Sequence, residues 1–324
     1  MSSSSDMSKC AASISSSSSS MKEMPSNKKV STSCDEKVES CNDSDSDIYS
    51  DDNESEDYCK DDDNDLLPGV NAIAMGFGML TISDNKLFKD PPPKEDCPIC
   101  MLPIPHSEGI CGVSTVYMAC CGKIICCGCS MAEDDEIKKG NIKPWCALCR
   151  VPIHKSNEEY NERLMRRMKL NDDEAFYSLG HSYRDGDYGL PQDFNKATEL
   201  WQKAAELGSI CAHYNIARDY HLGEGVEEDT DKAMYHFKLA AIGGHESARH
   251  FLGCREEANS NITNAMKHFM IAARAGYEKA LKKVGEGYKC GHVTKDQYAS
   301  TLRAYQVSID EMKSKERAKA AAQR

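Results

Sequence analysis

The chain has no basic excess. Its 40 lysines and arginines stand against 52 aspartates and glutamates, a formal net charge of −12 over 324 residues. Residues 1–90 hold 19 of the acidic groups and only 8 lysines, so the remainder is nearly neutral. A surface that tracks phosphates needs clustered positive charge, so a nucleic-acid partner is not expected. The chain also has no long apolar run. The longest, NAIAMGFGMLTI at 71–82, falls short of the roughly 20 residues a bilayer requires. The start, MSSSSDMSKCAASISSSSSS, has neither an apolar core nor a basic leader, which predicts no secretory signal. These absences predict a soluble protein of the cytoplasm or nucleus with no membrane partner. Thiols there stay reduced, so disulfides are a poor account of its 17 cysteines.

Bulky apolar groups are also scarce at the N-terminus. Residues 1–90 are read as a disordered, serine-rich and acidic tail, because such a composition buries too little surface to offset its ordering entropy. Ser40 and Ser44 each have an aspartate three residues on, the spacing acidic-directed kinases favour, although the favoured reading is simply a solvating tail. The 71–82 run is expected to be a buried strand or a short docking segment, and DPPPKED at 90–96 to stiffen the chain at a boundary.

What the chain has in abundance is cysteine in one place. Ten of the 17 lie between Cys97 and Cys149. Three ordered pairs stand out: Cys97 with Cys100, Cys126 with Cys129, and Cys146 with Cys149. Two cysteines separated by two residues put both sulfurs on one side of a tight turn, within reach of one ion at a Zn–S distance of about 2.3 Å. Three such pairs in so short a span, with no βαβ pattern nearby, point to zinc rather than a redox site. Two tetrahedral sites need about eight ligands, so the middle stretch, with Cys111, Cys120 and Cys121, must supply two more.

The segment CPICMLPIP…CCGKIICCGC…WCALCR resembles a RING finger. That resemblance implies two zinc ions, with the first and third ligand pairs on one and the second and fourth on the other. Cys97, Cys100, Cys126 and Cys129 would hold the first. Cys146 and Cys149 would hold the second with Cys120 and Cys121, although Cys111, His106 or His154 could replace one of that adjacent pair. Lys123 stands where most of the family has a ligand histidine, and an ammonium has no lone pair to donate. The pattern is closer to the all-cysteine variant. The resemblance further implies a ubiquitin-conjugating enzyme as partner, docked on Ile99 and Leu148, with Arg150 as a bridging hydrogen-bond donor and Trp145 as a groove wall. Ala147 replaces the usual proline. No residue of the chain is expected to be catalytic in the nucleophilic sense.

After a capping-box signal at Ser156 and Glu159, a charged linker helix is expected over 156–170. From Asp173 the chain repeats itself. Ala175, Ala212, Ala248 and Ala280 are offset by 37, 36 and 32 residues, and Gly180, Ala217, Gly253 and Gly285 follow the same offsets. Trp201, Phe237 and Phe269 share a third position. Each unit reads as two helices crossing at small residues, and a single pair cannot bury its stripe, so the pairs stack. These marks resemble Sel-like repeats, relatives of the tetratricopeptide class, which implies a surface for a protein substrate or adaptor. The expected fold is mainly α: tail 1–90, RING-type zinc module 95–152, linker helix 156–170 and an α-solenoid over 172–324. The last helix, from Lys295, is expected to cap the open end and then fray. The expected function is that of a RING-type ubiquitin ligase; the alternative is a non-enzymatic scaffold with a structural zinc module.

Overall fold

A computed structural model describes residues 82–106 and 115–323, which belong to one compact unit. The tail, most of the 71–82 run and Cys111 lie outside the described residues. The fold is mainly α. A short turn of helix, α1 (Asp84–Leu87), precedes a small module made of a two-stranded antiparallel hairpin, β1 (Thr115–Met118) and β2 (Lys123–Cys126), and the helix α2 (Cys127–Lys138). The linker helix α3 (Asn157–Met168) leads into the array: α4 (Asp173–Asp185), α5 (Phe194–Glu206), α6 (Ile210–Leu222), α7 (Thr230–Gly243), α8 (Glu246–Ala258), α9 (Ile262–Arg274) and α10 (Glu278–Lys289). The long α11 (Lys295–Met312) and the short α12 (Lys315–Ala321) complete the described chain.

The helix boundaries follow from local chemistry. The second helix of each pair starts on a side-chain cap: Asp193 accepts from the Lys196 amide, Asp229 from Lys232 and Asn261 from Asn264. The first helices α4 and α6 end on left-handed Gly186 and Gly223. The third pair turns more tightly, through Asn259–Asn261, which explains the shorter spacing of that repeat. Ser156 caps α3 by accepting from the Glu159 amide, but the Glu159 carboxylate takes the Lys155 amide instead of closing the reciprocal box.

Trp201, Phe237 and Phe269 are fully buried, each beside the small residues of its repeat. A methyl added at Gly180 would sit 2.4 Å from the Trp201 indole nitrogen, and one at Gly253 would sit 2.6 Å from the Phe269 ring. The glycines are there because the large ring of the next helix needs the volume.

Two long-range closures were not expected. Residues 82–96 form a strap across the array instead of a free spacer. Leu87 is buried among Phe237, Ala240, Phe251 and Leu252, and its carbonyl accepts from the buried Arg249 guanidinium, which also donates to Ala241. Lys94 pairs with buried Glu246 at 3.1 Å and donates to the Ala275 carbonyl. At the other end α11 does not fray. Lys313 is extended, Ser314 caps a new helix, and α12 turns back onto the cysteine module. The physical reason is Arg317, whose buried side chain finds its acceptors there.

Candidate metal centre

The first pair of cysteines sits in a tight turn. The Met101 amide donates to the Cys97 carbonyl at 2.8 Å, the Cys97 amide donates to the Leu102 carbonyl at 2.9 Å, and Met101 is left-handed at φ 55°. The last pair repeats this geometry. Arg150 donates to Cys146 at 2.9 Å, Cys146 donates to Val151 at 2.8 Å, and Arg150 has φ 61°. Isolated bridges flank both turns, Asp96 with Pro103 and Trp145 with Pro152. Such turns direct both sulfurs and several amides to one point.

Cys126 ends β2 and Cys129 lies in the first turn of α2, so the strand-to-helix junction brings them together. Cys120 and Cys121 lie in the turn of the hairpin. Cys121 and Gly122 both donate to the Met118 carbonyl, and Gly122 is left-handed at φ 70°. In a strand adjacent side chains point to opposite faces; in this turn they need not, and the two neighbouring sulfurs share a side.

The structure gathers the eight thiols in two groups of four, Cys97, Cys100, Cys126 and Cys129 in one, and Cys120, Cys121, Cys146 and Cys149 in the other, the ligand atoms of each lying within 4.8 Å of one another. Separations of 3.8 Å (Cys100 to Cys126), 3.9 Å (Cys121 to Cys146) and 3.4 Å (Cys149 to Cys120) bracket the edge of about 3.8 Å that thiolates at about 2.3 Å from a tetrahedral zinc would have. His106 and His154 belong to neither group. His154 packs against Tyr160, and His106 lies near Gly244. Lys123 is exposed at the start of β2. The described residues form no disulfide.

The electrostatics of each group are those of crowded anions. Burial pushes the Cys121 thiol up to about 11, helped by the nearby Cys146, and burial raises Cys120, Cys126 and Cys129 as well. Cys97 runs the other way. Burial raises it, but the amides of Cys100, Cys126 and Ile99 together outweigh that and bring it down to about 7. Thiols packed this closely resist ionising together, and a divalent cation among them removes that penalty. Both donor sets fit such an ion.

Around the sulfurs, Leu148 packs on the core formed by Cys97, Ile104 and Ile125. Ile99 and Trp145 stay exposed at 40% and 42%, and Lys143 lies 5.0 Å over the Trp145 ring. Arg150 is exposed. The hairpin turn abuts the corner between α3 and α4: Tyr117 donates to Asp172 at 2.8 Å, Arg167 donates to the same carboxylate at 2.7 Å, and a methyl on Gly122 would strike the Arg167 guanidinium. Arg317 is the neighbour that sequence reasoning missed. Nothing near it in the chain announces a contact some 200 residues away.

Comparison with known proteins bears on the helical array. Residues 173–209 and 212–245, which span α4 to α7, match the Sel1 repeat family. Cytochrome c oxidase assembly factor 7A of Xenopus laevis is 39% identical over 57 residues, which is 18% of this chain and 25% of that protein. Chitin synthase regulatory factor 2 of Schizosaccharomyces pombe is 34% identical over 77 residues, 24% of this chain and 15% of that protein. The chain thus spans a quarter or less of either relative. A Sel1 repeat protein from Oxalobacter formigenes overlays with a TM-score of 0.40 at 25% identity, over 48% of this chain and 64% of that one.

Proposed function

We propose that the chain is a RING-type ubiquitin ligase in which a zinc-braced cysteine module recruits a ubiquitin-conjugating enzyme and the Sel1-like array holds a substrate or adaptor. The observation that carries the reading is the interleaved order of the thiols, first pair with third and second with fourth. Bound zinc supplies folding energy to a module with few aliphatic groups, and four thiolates per ion leave no position for a reacting water.

The work of transfer then falls to the surface. Exposed Ile99 and Trp145 offer apolar contact to the conjugating enzyme, and Leu148 backs them from the core. The Arg150 guanidinium, a planar fork of hydrogen-bond donors, bridges the enzyme and its thioester-linked ubiquitin. Holding the thioester and an acceptor amine in one assembly lowers the barrier by about several kcal/mol through proximity and orientation. The test begins with native mass spectrometry, where two zinc ions per chain are expected. Purified protein with a panel of conjugating enzymes should then form ubiquitin chains on itself, and Ile99→Ala and Arg150→Ala should each cut the rate at least tenfold. Silence across a broad panel defeats the ligase.

A second reading, a scaffold that binds proteins without ubiquitinating them, is favoured by exposed Lys123 in the usual histidine place and by Ala147 in the proline place. Affinity capture that recovers partners of the array and never a conjugating enzyme selects it.

A further inference from the structure

The helix α12 closes over the first four-thiol group, although its Arg317 lies 188 to 220 residues beyond those cysteines in the chain. Its Arg317 is 1% exposed. One terminal nitrogen donates to the Pro103 carbonyl at 2.8 Å and to Met312 at 3.0 Å. The other donates to Leu102 at 3.0 Å and lies 3.6 Å from Cys100 Sγ. The fit is close. A methyl on Gly128, the second residue of α2, would meet the Arg317 backbone nitrogen at 2.7 Å, so glycine there lets α12 rest directly on α2. Lys319 pairs with Asp135 at 2.5 Å on the outer edge.

A buried guanidinium normally sits opposite a carboxylate, because an unpaired buried charge is costly. Among the described residues Arg317 has no such partner; its acceptors are carbonyls and a cysteine sulfur. The negative charge at hand is the thiol group itself, since four thiolates around a divalent ion leave a net formal charge of about −2. Among the described residues, no guanidinium or ammonium lies within hydrogen-bond distance of the sulfurs of Cys120, Cys121, Cys146 or Cys149. The two groups are therefore unequal.

We propose that Arg317 is a cationic clasp of the site formed by Cys97, Cys100, Cys126 and Cys129, so that the C-terminal helix sets how firmly that ion, and not the second, is held. This rests on the zinc reading above. Outer partners of metal ligands act by fixing the ligands and balancing their charge, and losing one typically weakens binding by about 10–100-fold.

The experiment measures zinc release from full-length protein challenged with excess chelator, followed with a coloured zinc indicator. Wild type is first weighed by native mass spectrometry. Arg317→Met keeps an apolar stem of similar length in the buried slot and removes the charge. It should release one of the two zinc equivalents at least tenfold faster, with the other unchanged. Arg317→Lys should restore most of the difference. Lys319→Ala, which loosens only the outer edge of α12, should leave both rates close to wild type. In cobalt-substituted protein, Arg317→Met should shift about half of the thiolate-to-cobalt absorption. Equal acceleration of both ions would make α12 a general brace and overturn the proposal, and so would unchanged release of both. A metal-free wild type would instead defeat the zinc reading on which it stands.

Discussion

Met101 and Arg150 occupy the same place in two copies of one turn. Each follows a Cys-x-x-Cys pair, each is left-handed (φ 55° and 61°), and each returns its amide to the carbonyl of the first cysteine of its pair. Glycine adopts that backbone without cost, whereas other residues spend about 1 kcal/mol on it. Arg150→Gly should therefore stabilise the module by up to about 1 kcal/mol, and Arg150→Ala should leave it near wild type. Both should lose ubiquitin transfer, because both lack the guanidinium. Thermal melting and a transfer assay on the same samples check this. Full transfer by the glycine variant would remove Arg150 from the proposed mechanism.

The twinned turns also mark what the sequence makes legible. Cysteines separated by two residues and alanines recurring at a fixed offset are local signals, since the spacing alone sets which side a residue faces. The sequence does not separate Cys120 from Cys111 as a ligand, because their placement depends on a turn around Gly122 whose left-handed backbone cannot be read from a pair of adjacent cysteines. The contacts of Arg317 with Cys100 and of Arg249 with Leu87 reach across 217 and 162 residues. In the sequence, Arg317 lies in KERAKAAAQR and looks like one charge on a solvated helix face. Only the return of the chain gives it a role.

Within the array, Gly180 and Trp201 are a matched pair. Repeat two carries the smaller combination's counterpart, Ala217 with Phe237, both fully buried. Gly180→Ala should cost about 1–3 kcal/mol through overpacking against the indole. Trp201→Phe should cost a similar amount by leaving a void and releasing the bond from the indole nitrogen to the Tyr177 carbonyl. The double variant should recover part of both losses. A denaturation cycle that shows simple additivity would mean the two side chains do not compete for one volume.

Acid should weaken the array through His245. Its Nδ1 accepts the Ala248 amide at the start of α8, and its ring stacks 4.2 Å from Tyr214. Burial, with the charge of nearby His106 second, pushes its pKa down from 6.5 to about 3, and a protonated ring would have no lone pair for the cap. The unfolded chain takes up a proton near pH 6.5 that the folded one refuses. The stabilising contribution is thus full above that pH and is lost as the pH falls toward 3, about 1–2 kcal/mol by pH 5. Asp219 opposes it: burial raises its carboxyl to about 7, so its contribution grows as the pH drops below that value. Comparison with His245→Asn separates the two, because asparagine keeps a cap acceptor and does not titrate. On going from pH 7.5 to 5, the urea midpoint of the variant should move toward greater stability relative to that of wild type; an identical change in both proteins would clear His245.

The strap supplies the last expectation. Arg249 is 2% exposed and spends its two terminal nitrogens on the carbonyls of Leu87 and Ala241, which ties residues 82–96 to the junction of α7 and α8. Leu87→Ala removes apolar contact with Phe237 and Phe251 and should cost about 2–5 kcal/mol. Arg249→Ala strands both carbonyls and should cost about 3 kcal/mol. Hydrogen exchange distinguishes a strap from a passive linker. In both variants the amides of Leu87, Phe88 and Ile104 should exchange faster, while those in the middle of α5 and α6 stay protected. Global loss of protection would instead make the segment part of the array's core, and unchanged exchange at Leu87 would show that Arg249 does not hold it.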